Sequence, residues 1–533
     1  MKKVFLWIGI VLLTPILLFV ILTILLYLPP VQSWAVQKGT AYASEATGMN
    51  ISIERVRLVF PLNLGVDGLL VTRANDTLPG RQDTIAGVRR MVADVRLRPL
   101  FSGQVVVDEL SVAGASINTL NLVPSAHVQG TIGQLDVKSR GIDLGLQTVA
   151  IDEAVLSDAR IAVALSDTVP EDTTQSEVLW KIMADRVALQ RTALGLSMPG
   201  DTLQIHTYIE NSEAREVLAD LGPAHYAVGS FVWAGGSVAY DNRFEPHADG
   251  LDPNHISLSA IDIAIDSIDY CAPEARLRIS RFAMTEKSGL RLDRLTGEVR
   301  LDSAQLHLPQ LVMRTPDSQL DARMTMDLSV TDSISPGRIS LRLMASLGKQ
   351  DVMRFCGGLP SAFVRSYPNR PLTIRGSVGG NLRHIDITGL QVALPTAFDL
   401  SADGSADNVT DMKHLRADVR LKGRTDNLGF VTALADIPAA YAIPRGITLN
   451  GRLRAEGERY SADLTAHEGR GRVHVDGSFD AAATAYNADV EVHELNLHHF
   501  MPHDSLYTVT AHAAVTGHGT DMLSRHTRLE AKA

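Results

Sequence analysis

Val107-Asp108-Glu109-Leu110-Ser111-Val112-Ala113-Gly114-Ala115-Ser116-Ile117 aligns without gaps on Ile151-Asp152-Glu153-Ala154-Val155-Leu156-Ser157-Asp158-Ala159-Arg160-Ile161. A third copy runs Ala184-Asp185-Arg186-Val187-Ala188-Leu189-Gln190-Arg191-Thr192-Ala193-Leu194. A fourth begins Ile279-Ser280-Arg281-Phe282-Ala283-Met284 and closes at Leu290. Each copy is an apolar residue, a polar pair, a short strand, a spacer and a second strand. The first two starts lie 44 residues apart and the next two 33. That spacing is too irregular for a short-period solenoid. It suits a sheet extended by similar hairpins or rungs, each sharing its core only with its neighbours.

Outward from the repeat, apolar and polar residues alternate with period two through the chain, the mark of strands with one buried face. Clear stretches are Ile51-Ser52-Ile53-Glu54, Leu135-Asp136-Val137, Ile256-Ser257-Leu258 and Ile261-Asp262-Ile263-Ala264-Ile265. Others are Val299-Arg300-Leu301, Met324-Thr325-Met326-Asp327-Leu328, Leu394 to Leu400, Val419-Arg420-Leu421, Val473-His474-Val475 and Val490-Glu491-Val492. Gly, Asp and Asn interrupt the runs at the spacing of short strands and turns. Two short helices are expected. One spans Asn211 to Leu221, with Ala214, Val217, Leu218 and Leu221 on a face; the other holds Val352, Phe355 and Cys356 before Gly357-Gly358. Thr168 to Gln175 is polar and reads as a loop. No convincing linker divides the body; Pro360 to Pro371 is its weakest point.

Val4 to Leu28 is apolar apart from Thr14, Thr23 and neutral interruptions such as Gly9 and Pro15. Twenty-five helical residues reach about 37 Å, enough to cross a hydrocarbon layer of roughly 30 Å. The run is too long for a signal-peptide core, and no small-x-small cleavage site follows. An uncleaved anchor over 4–28 is expected. Lys2 and Lys3 in a short 1–3 tail place that end in the cytoplasm, with the body outside. Trp7 falls at one interface, Tyr27 and Trp34 at the other. Pro29-Pro30 opens a short amphipathic helix over 29–48, ending near Gly48. It can lie on the membrane or pack on the first strands. The β body then occupies 49–533.

The chain has 533 residues, 45% of them apolar, 5% aromatic and 21% charged, with a net charge of −10. The apolar mass is therefore aliphatic and sufficient for a core. The negative balance argues against a nucleic-acid partner, which requires a basic face. Two cysteines, Cys271 and Cys356, match no metal pattern; a single disulfide is open to them, and free thiols are the plainer expectation. Asp262, Asp266 and Asp269 cluster without a partner geometry for acid–base work. Nine of the seventeen histidines, His467, His474, His493, His498, His499, His503, His512, His518 and His526, follow residue 460 without metal-ligand spacing. There is no nucleophile elbow and no phosphate loop. No catalytic residue, metal or cofactor is expected, and the chain is not read as an enzyme.

The N-terminal order is Lys2-Lys3 and its anchor, Tyr27-Leu28-Pro29-Pro30-Val31-Gln32, Thr47-Gly48-Met49-Asn50-Ile51-Ser52-Ile53, then Val56-Arg57-Leu58-Val59-Phe60-Pro61-Leu62-Asn63-Leu64. It resembles the AsmA-like family, and within it the N-terminal part of the TamB proteins of the translocation and assembly module. Leu292 to Leu301, Leu394 to Gly404, and Met501 to Leu506 with Gly517-His518-Gly519 look like the degenerate strand pattern of that family. The resemblance implies a single-pass inner-membrane protein with a large periplasmic body. Its fold would be an N-terminal transmembrane helix, then an elongated, curled, repetitive β-sheet with an open groove and a few short helices. It further implies a bridge-like carrier that shields phospholipid acyl chains on the way to the outer membrane, with an outer-membrane barrel of the TamA or BamA type as candidate partner. TamB-like chains are usually longer and carry a C-terminal domain, so the expectation is an N-terminal portion of such a protein, with a short relative as the alternative. From the alternation, Ile263, Leu301, Met326 and Leu421 are the candidate groove-lining residues. A structural scaffold for outer-membrane protein assembly, with a dry sheet interior, is the competing expectation.

Overall fold

The structure, a computed structural model, describes residues 37–532 other than 39, 42–43, 46, 60–62, 76–77, 79, 96–106, 121, 123–125, 144–146, 166–178, 248, 333, 435–437, 439–440 and 520–525. The expected tail and anchor, Lys2, Lys3, Trp7, Tyr27 and Trp34, and the polar stretch Thr168 to Gln175 lie outside the described residues. Among the described residues no helix is long and apolar enough to cross a membrane. Of the helix expected over 29–48, the described residues between 37 and 47 are helical, and the helix stops at Gly48, whose φ is 67°. Gly accepts that conformation without a Cβ clash and so terminates helices. The backbone N–H of Ile51 donates to Ser44 Oγ at 3.0 Å and ties this helix to the first strand.

The fold is mainly β. The chain divides into two compact units, Met1–Glu245 with Asn254–Ala272, and Pro246–Pro253 with Pro273–Ala533. Pro360 to Pro371 lies inside the second.

The first unit contains β1 (Asn50–Val59), β2 (Asn63–Ala74), β3 (Gln82–Val95), β4 (Val107–Asn118), β5 (Ala126–Asp143) and β6 (Thr148–Ser157). It continues with β7 (Arg160–Leu165), β8 (Lys181–Ser197), β9 (Leu203–Asp220), β10 (His225–Asn242) and β11 (His255–Cys271). Successive strands pair antiparallel from β1 to β6 and from β8 to β11. β6 and β7 are two halves of one position, for both pair antiparallel with β5 and parallel with β8. The parallel register runs from Ile151 opposite Ala184 to Ile161 opposite Leu194. The second and third copies of the sequence repeat therefore stack residue for residue, at the offset of 33 at which they align. Among the described residues β1 and β11 do not pair with each other, so the series is an open sheet and not a closed barrel.

The repeat also fixes where the strands bend. Gly114, Asp158 and Arg191 hold the same place in its first three copies, and their φ values are 66°, 54° and 46°. The line of residues between registered pairs runs Glu54, Gly68, Arg89, Gly114, Gly133, Asp158, Arg191, Glu210 and Gly235 across the sheet. A left-handed residue turns the strand direction and costs a residue with a Cβ roughly 1–2 kcal/mol. Glycine removes that cost at Gly68 and Gly114, and long charged side chains fill the space so released. A Cβ on Gly68 would strike Glu54, and one on Gly114 would touch the Arg89 guanidinium.

The second unit contains β12 (Glu274–Glu286), β13 (Arg291–Leu292), β14 (Arg294–Leu301), β15 (Gln305–Arg314), β16 (Gln319–Asp327), β17 (Arg338–Leu347), β18 (Leu372–Asn381) and β19 (His384–Leu394). Then follow β20 (Phe398–Asp407), β21 (Arg416–Thr425), β22 (Thr448–Glu456), β23 (Arg459–Glu468), β24 (Gly471–Asp480), β25 (Ala485–Asn496), β26 (Thr508–His518) and β27 (His526–Lys532). Each pairs antiparallel with the next in sequence, β13 and β14 sharing one position beside β12. Three short helices, α1 (Lys349–Phe355), α2 (Ser361–Ser366) and α3 (Gly429–Leu434), interrupt the hairpins. Fifteen strand positions at about 4.8 Å spacing span about 67 Å along the sheet.

Two local expectations are corrected. Asn211 to Leu221 is not a helix; through Asp220 it is the second half of β9, paired with β8 on one side and β10 on the other. Glu216, at φ 53°, interrupts the alternation between Ala214 and Val217, which gives the apolar residues a helix-like spacing. Leu394 to Leu400 is not one strand but a tight turn between β19 and β20, closed by Ala397 N–H to Leu394 O at 2.9 Å. The helix expected at Val352 to Cys356 is α1.

Candidate functional site

Residues directly opposite on neighbouring strands point to the same side of a sheet. The registers therefore give the composition of each face without further assumption. In the second unit one row reads Leu295, Met313, Leu320, Ala345, Ile374, Val392, Leu400, Gly423, Leu449, Ala466, Val473, Val492, Ala511. Thirteen strand positions pass without a polar side chain. A parallel row carries Leu301, Leu306, Met326, Ile339, Gly380, Ile385, Ala406, Ala417, Ala455, Tyr460, Phe479 and Tyr486. Two of the four candidate lining residues, Leu301 and Met326, thus share a row, joined through Leu306. Leu421 lies in another row of the same face, between Ala402 and Gly451. Ile263 belongs to the first unit. Its row runs Val56, Val66, Met91, Val112, Leu135, Leu156, Leu189, Ser212, Trp233, Ile263. The four are spread along apolar faces and are not gathered into one pocket.

Bulges keep these faces apolar. The register shifts between Leu308 and Leu311, between Ile387 and Leu390, and between Val492 and Leu495. In each strand the apolar residues change parity at the shift, so an inserted residue restores them to the same side.

The face is only half covered. All four candidate residues are half-buried, and Leu453 and Tyr460 are 39% and 38% exposed. Besides two single 3-10 turns at Leu328–Thr331 and Leu497–His499, α-helical cover among the described residues of the second unit is confined to α1, α2 and α3. There Phe363, Tyr367, Phe430, Leu394 and Ala397 form a sealed cluster. The rings of Phe363 and Phe430 meet edge-on at 5.7 Å, and those of Tyr367 and Phe430 at 5.3 Å. Burial pushes the Tyr367 phenol above its ordinary pKa. The few aromatic residues of the chain are thus partly concentrated at one end of the strands, a signal that alternation alone does not carry. Leu394 is 1% exposed there. A true core and a partly open apolar surface coexist in one sheet.

The opposite face is polar and stitched by charge. In the first unit Lys138 Nζ meets Glu153 Oε2 at 3.1 Å, Arg186 meets Glu153 and, at 2.9 Å, Glu213, and Arg215 Nε meets Glu213 at 2.6 Å. Hydrogen bonds from Lys138 and Arg186 hold Glu153 below the usual carboxylate range, and Arg186 does the same to Glu213. Exposed pairs of this kind each contribute little stability; their effect is to make inversion of the faces costly, because it would bury every charge. A recess of about 740 Å³ in the first unit is lined by two rows of this polar face, including Arg160, His206 and Tyr208.

The late histidines do not converge. His499 meets Glu468 at 2.7 Å, His512 meets Asp489 at 2.8 Å, and the rings of His518 and His526 stack at 4.8 Å. Asp269 pairs with His225 at 3.1 Å. Among the described residues no group of three metal-ligating side chains is assembled. Cys271 and Cys356 are free. No protein-family model matches the chain, and comparison with curated proteins finds no match.

Proposed function

We propose that this is an AsmA-like, TamB-related carrier whose apolar sheet faces shield phospholipid acyl chains. In this reading residues 4–28 anchor it in the inner membrane. The body lies in the periplasm and passes lipid toward the outer membrane, in support of envelope biogenesis, with an outer-membrane barrel of the TamA or BamA type as a candidate partner. The observation that carries the reading is the combination of unbroken apolar rows with incomplete cover. Thirteen strand positions without a polar side chain form a surface that water meets only at a cost, yet residues such as Leu453 stay 39% exposed. An acyl chain laid along such a face gains about 0.8 kcal/mol per methylene removed from water. Many aliphatic contacts of equal strength favour movement along the face over capture at one point. No polar pocket on this face is required, since the headgroup can stay in water. The resemblance of the N-terminal residues to the AsmA-like family points the same way.

Photocrosslinking residues placed at Leu301 and Leu421 in cells test the proposal. Phospholipid should be captured at both positions. Leu301→Asp and Leu421→Asp should fold, remain in the membrane fraction and lose capture beyond the substituted site. If the folded protein captures no lipid at these positions or at Met326 and Ile263, the carrier reading fails. The alternative of a dry scaffold for outer-membrane protein assembly would then replace it.

A further inference from the structure

On the polar face of the second unit, Arg323 of β16 stands directly opposite Arg342 of β17. Like charges in direct opposition destabilise a strand pair. Elsewhere on the polar faces such meetings are neutralised. Arg452, opposite Arg420, is gripped by both oxygens of Asp418, and Arg186, opposite Arg215, by Glu213. Among the described residues, the guanidinium groups of Arg323 and Arg342 have no carboxylate within 4.0 Å and donate no side-chain hydrogen bond. The nearby acids are engaged: Asp321 accepts from Gln310 at 3.2 Å, and Asp386 faces His384 at 3.3 Å.

Both arginines line a recess of about 430 Å³ that also contains Thr325, Ser340, Ser377 and Thr388. Arg342 is opposite Ser377 and Ser377 is opposite Thr388, while Thr325 is opposite Ser340 in the next row of the same face, so hydroxyl groups flank the guanidinium pair in register. Asp386 stands at one side of the same recess.

We propose that this recess binds a phosphate group between Arg323 and Arg342. A tetrahedral oxyanion offers each guanidinium a pair of oxygens, the geometry that planar forks recognise best. It would also cancel the opposed positive charges, and the flanking hydroxyls can donate to the remaining oxygens. The site lies on the face opposite the apolar rows, so it does not depend on lipid tails being shielded there. The phosphate could belong to a free phosphorylated solute or to a lipid headgroup; the chemistry is shared.

The test uses the full chain in non-ionic detergent, with inorganic phosphate titrated against chloride at matched ionic strength and binding followed by phosphorus NMR line broadening. Saturable binding is expected. Arg323→Gln and Arg342→Gln should each weaken it about tenfold, and the pair should abolish it, since a charge-assisted two-pronged contact is lost in each case. Asp386→Asn should tighten binding by removing a like charge from the recess. Without phosphate, each single arginine variant should melt at the same temperature as the parent or higher, because the opposed charges are relieved. A structural role for the arginines would instead lower the melting temperature of both, and that result overturns the proposal. So does phosphate binding that survives the double substitution, or no binding at all. Glycerophosphoglycerol, a phosphodiester headgroup without tails, separates the sources: binding through the same arginines assigns a lipid headgroup, and binding of inorganic phosphate alone assigns a free solute. Because neither probe has acyl chains, failure here leaves the carrier reading untouched.

Discussion

Arg191 grips Asp158 with both prongs of its guanidinium, Nε to Oδ1 at 2.7 Å and Nη2 to Oδ2 at 2.8 Å, and both residues have left-handed backbones. Asp158 interrupts the strand position shared by β6 and β7, and Arg191 sits at the matching point of β8. The ion pair therefore lies on the line at which the strands of the first unit bend. Aspartate is among the non-glycine residues that tolerate this conformation best, whereas arginine has no such advantage.

Substitutions on this line should follow backbone preference more than charge. Asp158→Gly should fold normally, while Asp158→Val and Gly114→Val should destabilise by about 1–3 kcal/mol, because a β-branched residue is forced to positive φ. At Gly114 the new side chain also meets Arg89. Denaturant melts of the purified protein measure this. Equal midpoints for Asp158→Gly and Asp158→Val would show that the bend does not constrain the residue.

The sealed cluster and the open face should respond differently to truncation. Phe430→Ala removes a buried ring and should cost about 3–5 kcal/mol. Leu421→Ala, on a half-buried row, should cost about 1–2 kcal/mol. A Leu421→Ala loss as large as that of Phe430→Ala would mean that the apolar rows are packed like an ordinary core.

Glycines on the apolar face hold neighbouring strands close. A Cβ on Gly451 would run into the backbone carbonyl of Asp463, and one on Gly404 into that of Asp418. Gly451→Val should therefore destabilise by about 1–3 kcal/mol through overpacking, although it adds apolar surface to an apolar row. Unchanged thermal stability would refute the close approach.

His384 lies between Asp407, at 2.6 Å, and Asp386, at 3.3 Å. The hydrogen bond to Asp407, helped by the charge of Asp386, raises its pKa above the ordinary histidine value. A raised folded-state pKa stabilises the fold fully below the unfolded value of about 6.5. That contribution disappears as pH rises through the folded value. Proton NMR titration should place His384 above the unfolded value, and Asp407→Asn should lower it. A His384 pKa indifferent to that substitution would sink the assignment.

Leu301, Met326 and Leu421 could be placed on strands from alternation alone, because a strand with one wet face must alternate. The repeat disclosed more than its own pattern: its offset of 33 is the parallel register of β8 against β6 and β7, and its eighth residue marks the bend. Both follow from local chemistry, since aligned copies bury the same positions and the bend needs the same backbone. Other features had no local signal. The helix-like spacing in Asn211 to Leu221 is a strand, because pairing on both sides outweighs a short periodicity and Glu216 breaks the alternation. Phe430 is 63 residues beyond Tyr367 in the chain, and it joins Phe363 and Tyr367 in a core only when α1, α2 and α3 close over the strand ends. Arg323 and Arg342 are separated by 19 residues of sequence, and nothing in either strand foretells that hairpin register sets two unpaired guanidinium groups face to face. Strand character is a property of a few neighbouring residues, whereas register is a sum over both sides of every strand, and only the assembled sheet decides it.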